Sequence, residues 1–379
     1  MTSKLVALIA GVALLAACGS SSDDETFRIG LEGPLSGSQQ DVGQGMLRGA
    51  QLAADELNAD GGIDGRTVEI VAIDDAADPA TGVTAAKQAI EDGLDAIVGP
   101  YNSGVGLETL PLYEAAGLVP LRLTSADSTE GFGVTLQPMT SQIAPTATAA
   151  LSTWLGAQTV ALITDESQGY TASAAEAMRS ELAAAGITVV SDEAITPGAA
   201  SYADTLTTVL ATDPDVIYVI TYFPEAGAIA RDLLASGSDV GCLADYGAYD
   251  NGYIDAAGTE AASRCKVVGV PAPDDFAGSA SLVSAYTAKF SAAPGAWSPY
   301  TYDSVRLLAD AVATAGGTDA AKLEAALVAT SGWSGWTGPV GFDAATGNRV
   351  PAPVTVNAVD ASGAFHVDSE WAAATGFGS

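Results

Sequence analysis

The sequence predicts an α/β protein built as two lobes, each a doubly wound parallel sheet. Two observations carry that expectation. β-rich apolar runs alternate with alanine-rich stretches of helical periodicity along the chain, the pattern of a parallel sheet covered by helices on both faces. The alternation runs once to about residue 144 and restarts near Thr159, and two series of similar size make two lobes rather than one long domain. Setting residues 1–17 aside leaves 362 of the 379 residues, enough for two domains.

Lys4 followed by the apolar run Leu5 to Ala17 has the layout of an export signal and is too short to span a bilayer. The run closes on Leu15-Ala16-Ala17-Cys18, which resembles the lipobox of bacterial lipoproteins. Residues 1–17 are therefore expected to be a cleaved signal peptide and Cys18 the lipidated N-terminus. Two or more acyl chains would then hold the protein at the cell membrane, on its extracytoplasmic face. Residues 18–26, rich in Gly, Ser and Asp, read as a flexible tether.

In the first lobe, Phe27–Leu31, Val68–Ile73, Ala96–Val98 and Leu118–Leu123 read as strands. Gly45–Asn58 and Pro79–Glu91 are the helices between them, and Asp78-Pro79 supplies an N-cap acceptor with proline at the first helical position. In the second lobe the strands are Val160–Ile163, Ile187–Val190, Val216–Ile220, a short Cys242-Leu243 and Lys266–Val270. Helices are expected around Ala172–Ala185, Ala203–Leu210 and Glu225–Ala235. Beyond Pro271 follow a helix (Leu282–Phe290), a Trp/Tyr-rich turn, a helix (Tyr302–Ala315) and a β-rich segment (Val340–Val359). These pieces are too few for a third domain and must complete the other two.

Composition excludes several classes. With 14 basic against 46 acidic residues the formal charge is −32, which argues against nucleic acid and anionic lipid surfaces as partners. One His and no Cys/His cluster leave no basis for a zinc or transition-metal site, and no cofactor is indicated. With Cys18 committed to lipid, an exported chain most simply pairs Cys242 with Cys265. No G-x-S-x-G elbow occurs, and a serine mechanism would depend on His366 near the C-terminus. Gly43 to Gly49 misses the dinucleotide fingerprint, and Asp74-Asp75-Ala76-Ala77-Asp78 lacks the glycine and glutamate of a calcium loop.

Open α/β sheets bind ligands beyond the carboxyl ends of their strands. After Ala96–Val98 come Tyr101, Asn102 and Ser103 at the start of a helix, where Asn102 or Ser103 is either an N-cap or one wall of an anion site. The next strand runs into Thr124-Ser125-Ala126, and two adjacent strand ends rich in hydroxyls favour a carboxylate cradle. Second-lobe strand ends are aromatic: Tyr170, Tyr222, and Tyr246 with Asp245. Each tyrosine either closes over a small ligand or packs on its own loops.

Across nearly the whole mature chain, several motifs in order resemble the leucine/isoleucine/valine-type substrate-binding proteins of bacterial ABC transporters. They are Gly33-Pro34-Leu35-Ser36-Gly37, Asn58-Ala59-Asp60-Gly61-Gly62-Ile63, Asp74 to Pro79, Val98-Gly99-Pro100 and Tyr222-Phe223-Pro224-Glu225. The resemblance implies the periplasmic binding protein type I fold, with two lobes joined by a three-segment hinge. The lobes would be 27–144 with 273–345, and 145–272 with 346–379. It implies further that Ser103 and one of Thr124, Ser125 or Ala126 hold the ligand's carboxylate, with Tyr170 and Tyr222 as lid. Val42, Tyr101 and Trp297 would line the side-chain pocket. An ammonium-binding acid would align at Tyr246, one residue from Asp245. Arg122-Leu123 stands where the family usually has a proline before its small-residue run, and Arg122 either meets a carboxylate partner or leans into the cleft. The expected function is a monomeric extracytoplasmic solute-binding lipoprotein. It would capture a small organic acid, an amino acid first, and deliver it to an ABC permease. A sensor lipoprotein presenting amides or aromatic acids to a receptor is the alternative, and a lipid-anchored hydrolase the remote one.

Overall fold

The computed structural model describes residues 26–377; the signal segment and Cys18 lie outside the described residues. The first sheet comprises β1 (Thr26–Gly33), β2 (Thr67–Asp74), β3 (Ala96–Val98), β4 (Pro120–Arg122) and β5 (Val134–Thr135). Thr26, assigned to the tether on sequence, already begins β1. Its order is β2-β1-β3-β4-β5, parallel throughout. Ile29, Leu31, Ile97 and Val98 are fully buried, as strands covered on both faces must be. The crossover helices are α1 (Gln40–Ala59), α2 (Pro79–Glu91) and α3 (Ser103–Ala115). Asp78 caps α2, accepting the Thr81 N–H at 2.8 Å.

From β5 the chain leaves through α4 (Thr140–Ala149) and enters a second sheet. Its leading strands are β6 (Thr159–Thr164), β7 (Thr188–Ala194), β8 (Val216–Ile220), β9 (Gly241–Ala244) and β10 (Lys266–Gly269). Between them run α5 (Gly169–Ala185), α6 (Ala203–Leu210), α7 (Phe223–Ser236), α8 (Asn251–Ala257) and α9 (Thr259–Arg264). The chain then returns to the first sheet's side with α10 (Ala280–Phe290), α11 (Ser298–Ala315) and α12 (Ala320–Val328). There α11 lies along α1: Thr301 donates to the Met46 carbonyl at 2.7 Å and Ser298 to the Gly45 carbonyl at 2.8 Å. A Cβ on Gly49 would sit 2.2 Å from the Ser298 carbonyl oxygen, so only glycine permits that approach. A small hairpin, β11 (Trp333–Gly335) and β12 (Gly338–Val340), precedes the last return. β13 (Thr355–Val359) and β14 (Phe365–Val367) then complete the second sheet, order β14-β13-β10-β9-β8-β6-β7, and α13 (Ser369–Thr375) closes the chain.

Further expectations change. The second sheet is mixed, since β13 and β14 pair antiparallel; a strand added after an excursion to the other lobe is not bound by the βαβ rule. The Trp/Tyr-rich turn is the first turn of α11, with Pro299 near its start. The β-rich run Val340–Val359 is strand only at its ends. Its middle is a crossing between lobes, pinned by two buried arginines. Arg349 donates to the carbonyls of Leu136 (3.2 Å), Thr337 (2.7 Å) and Pro339 (2.8 Å) and to the Thr337 hydroxyl at 2.9 Å. Arg122 neither enters the cleft nor meets a carboxylate directly. It donates to Asn348 Oδ1 at 2.7 Å, and Asn348 passes a 2.6 Å hydrogen bond on to Glu130. The structure joins Cys242 to Cys265 as a disulfide within the second lobe.

Candidate functional site

Carboxyl ends of both sheets meet at one cleft, and three helices begin there. In the first lobe, cis Gly99-Pro100 ends β3 with Gly99 at φ 108°. A Cβ at Gly99 would lie 2.2 Å from the Glu32 carbonyl oxygen, so the turn requires glycine. That turn delivers Tyr101, Asn102 and Ser103 to the start of α3. In the second lobe α5 begins at Gly169 and α7 at Phe223, each beside a cleft tyrosine.

Tyr101, Ser103, Leu123, Ser125, Gln137, Tyr170, Tyr222, Tyr246 and Gly247 surround a cavity of about 10 Å³, roughly the space of one water. The lobes are shut on it. Asn102 Nδ2 lies 3.4 Å from the Tyr222 hydroxyl, and Tyr246 donates across to Gln137 Oε1 at 3.4 Å. A Cβ on Gly169 would fall 2.8 Å from the Gly104 nitrogen. The aromatic walls contact one another: Tyr170 lies 6.3 Å from Tyr222 and 6.1 Å from Tyr246, and Trp297 lies 5.2 Å from Tyr246 and 5.8 Å from Tyr101. All four pairs are tilted, between 48° and 58°.

Neither Asn102 nor Ser103 makes a side-chain cap to α3. Ser103 Oγ instead accepts the backbone N–H groups of Ser125 (3.3 Å) and Ala126 (3.1 Å). With both lone pairs engaged, its proton is left to donate. Ser125 Oγ and the Tyr246 hydroxyl both donate to Gln137 Oε1, and Gln137 Nε2 has no partner among the described residues. The first-lobe wall therefore offers hydrogen-bond donors, reinforced by the N–H groups opening α3. Thr124 is elsewhere, its hydroxyl 2.7 Å from that of Thr129. Ala126 contributes its backbone N–H alone.

Asp245 does not line the cavity. Its carboxylate accepts the Tyr170 hydroxyl at 2.7 Å and the Tyr218 hydroxyl, and fixes the Tyr170 ring from behind. Burial raises its pKa, opposed by those hydrogen bonds. Burial likewise pushes Tyr222 up to about 12 and lifts Tyr101, Tyr170 and Tyr246 well above the ordinary tyrosine range, so the walls are neutral. Gln137 escaped the sequence reading. The sequence offered only an uncharged polar residue between Leu136 and Pro138-Met139, which does not by itself mark a cleft position.

Residues 26–364 match the family model described as periplasmic binding protein. The chain is 35% identical over 222 residues to the Leu/Ile/Val-binding protein BraC3 of Rhizobium johnstonii, an alignment covering 56% of this chain and 60% of that protein. A leucine binding protein from Thermotoga maritima superposes with a TM-score of 0.84 at 23% identity, over 90% of this chain and 98% of the other. The branched-chain amino acid transporter substrate binding protein from Streptococcus pneumoniae, solved with isoleucine, gives 0.80 at 26% identity, over 90% and 99%.

Proposed function

The chain belongs to the periplasmic binding protein family, a family of substrate-binding proteins rather than enzymes, and from that premise we propose that it captures a small organic acid and delivers it to an ABC permease. Branched-chain amino acids, which the relatives' names specify, are the first candidates. The protein would work as a monomer, tethered through a lipidated Cys18 to the extracytoplasmic face of the cell membrane.

The observation that carries the reading is the cavity itself: donor hydroxyls and an amide on the first lobe face tyrosines on the second. Ser103, Ser125 and the opening N–H groups of α3 would hold the carboxylate. Tyr170 and Tyr222 would close over it, with Asn102 tying Tyr222 to the first lobe, and Tyr101, Tyr246 and Trp297 would shape the remaining wall. The rigid units of the motion would be 27–144 with 273–345, and 145–272 with 346–379. A ligand touching both lobes favours the closed state because the open state lacks half its contacts.

Isothermal titration with leucine, isoleucine, valine and simple carboxylic acids tests this reading. Ser103→Ala should weaken whichever acid binds by about 1.5–3 kcal/mol, the worth of a charge-assisted hydrogen bond. Unchanged affinity with a lowered melting temperature would make Ser103 a brace for the Ser125–Ala126 backbone and nothing more.

A further inference from the structure

The seam between the lobes buries a carboxylate that the ligand cavity does not use. Asp250 stands just before α8, 5% exposed, and caps that helix by accepting the Gly252 N–H at 2.9 Å. Among the described residues this is its one hydrogen bond, and it joins no ion pair. Its chain neighbours face the other lobe. The Tyr249 ring meets Trp297 edge-on with centroids 6.0 Å apart, and Asn251 shares a groove with Ala293, Pro294 and Ala296. Asp250 also helps raise the phenol of Tyr101 on the first-lobe wall, after burial and Tyr222.

No cation faces this carboxylate. Asp41 of α1 adds like charge from the first lobe and Asp255 adds it from α8 itself, while Tyr249 and Tyr101 are neutral phenols. Arg48 of α1 faces Tyr286. Arg231 of α7 and Arg264 of α9 are turned onto the Ala256 and Ser238 carbonyls. Of the remaining acids, Glu225 and Asp232 of α7 accept from Gly198 and Tyr202, and Glu260 of α9 is exposed. Burial pushes Asp250 up to about 7, opposed by the Gly252 N–H and helped by Asp41 and Asp255. An open cleft would take the first-lobe cover away and return it to water, where an aspartate titrates near about 3.9. We propose that closure takes up a proton at Asp250, so that the protein grips its ligand more tightly as the pH falls. The proposal rests on the two-lobe clamp and adds its regulation. The closed state holds a proton that the open state releases, so closure gains from acid between the two pKa values and levels off on either side.

Calorimetry with leucine, isoleucine and valine from about pH 5 to about pH 8 tests it, a window in which neither end of these ligands titrates. Affinity should fall by up to about tenfold per pH unit towards pH 7 and then flatten. Near pH 6, two buffers of different ionisation enthalpy should count about one proton taken up per ligand bound. Asp250→Asn keeps the capping oxygen and should abolish both the slope and the proton. Flat affinity without proton uptake overturns the proposal and leaves the ligand reading standing; a slope and proton that persist in Asp250→Asn overturn it too. Should that variant fold poorly, Asp41→Asn serves instead: tighter binding near pH 8 and a shallower slope support the proposal, and unchanged binding counts against it. If none of these ligands binds, their assignment falls, and scattering from the unliganded protein decides the proposal alone. Contraction in acid that Asp250→Asn lacks supports it, and the same response in both proteins overturns it.

Discussion

Replacing Gly169 by alanine puts a methyl group into the place where the two lobes touch backbone to backbone. Its Cβ would lie 2.8 Å from the Gly104 nitrogen, 2.9 Å from the Gly104 Cα and 3.4 Å from the Ser103 carbonyl carbon. Comfortable carbon contacts are about 3.5–4.0 Å, so the closed lobes must part by close to ~1 Å or deform. Overpacking of this kind costs about 1–3 kcal/mol. The cost falls on the closed state alone, because in an open cleft the methyl meets solvent. Apparent affinity for any ligand bound by closure should fall about 5- to 150-fold, at about 1.4 kcal/mol per tenfold. Gly104→Ala is the matched control: its Cβ stands 3.6 Å from the Gly169 nitrogen, an ordinary contact. Titration calorimetry on both variants, with small-angle scattering to read the radius of gyration, separates the cases. Gly169 opens α5, where alanine is acceptable, so the melting temperature of the unliganded protein should hold. If Gly169→Ala binds as tightly as the parent and contracts by as much on binding, the clamp reasoning is wrong.

Arg349→Met should lower stability by about 3 kcal/mol or more in urea titration, because the carbonyls of Leu136, Thr337 and Pro339 lose a buried donor together; a change under about 1 kcal/mol would show the arginine to be incidental. Asp75 is fully buried, and burial pushes its carboxyl up to about 7. The folded state then holds a proton that the unfolded chain releases near its ordinary pKa of about 3.9. Its contribution to stability is complete below about pH 4 and is lost as the pH rises through about 7. Asp75→Asn should flatten that part of the stability–pH curve, and a curve of unchanged slope would sink the assignment. Cys242 and Cys265 should resist alkylation, native or denatured, until a reductant is added; two freely labelled thiols in the unreduced protein would remove the disulfide.

Much of the architecture was legible because parallel strands buried on both faces have to be apolar throughout. Val216–Ile220 and Ala96–Val98 announce themselves that way, and the Ser/Thr-rich and tyrosine-rich strand ends marked the edge where the cleft lies. What escaped were features fixed by the partner lobe rather than by local pattern. β14 pairs only with β13, an edge made late by a returning chain. Gln137 sits in a crossing segment whose burial depends on closure. Arg122, between apolar neighbours, was expected to meet a carboxylate or lean into the cleft, and its partners, Asn348 and the carbonyls of Thr346 and Phe132, are supplied largely by a distant segment. Asp245 was noticed for its charge and its position after a strand. Its task of holding two phenols follows from Tyr218, which points from mid-strand and reads as core in the sequence.

The hinge arginines carry a consequence for how the protein meets salt. Arg122 and Arg349 are two of 14 basic residues in a chain of net charge −32, and both are buried. Pairs such as Arg179–Asp192 and Arg28–Glu69 stand at the surface, where dissolved ions screen them over about 8 Å at physiological strength. Brine would also quiet the mutual repulsion of the acidic lobes and so make closure easier. The guanidinium groups at the crossing bond to carbonyls and an amide in a dry interior, beyond the reach of that screening. On the proposed clamp, ionic strength would shift how often the jaws are shut while leaving the pivot on which they turn unchanged.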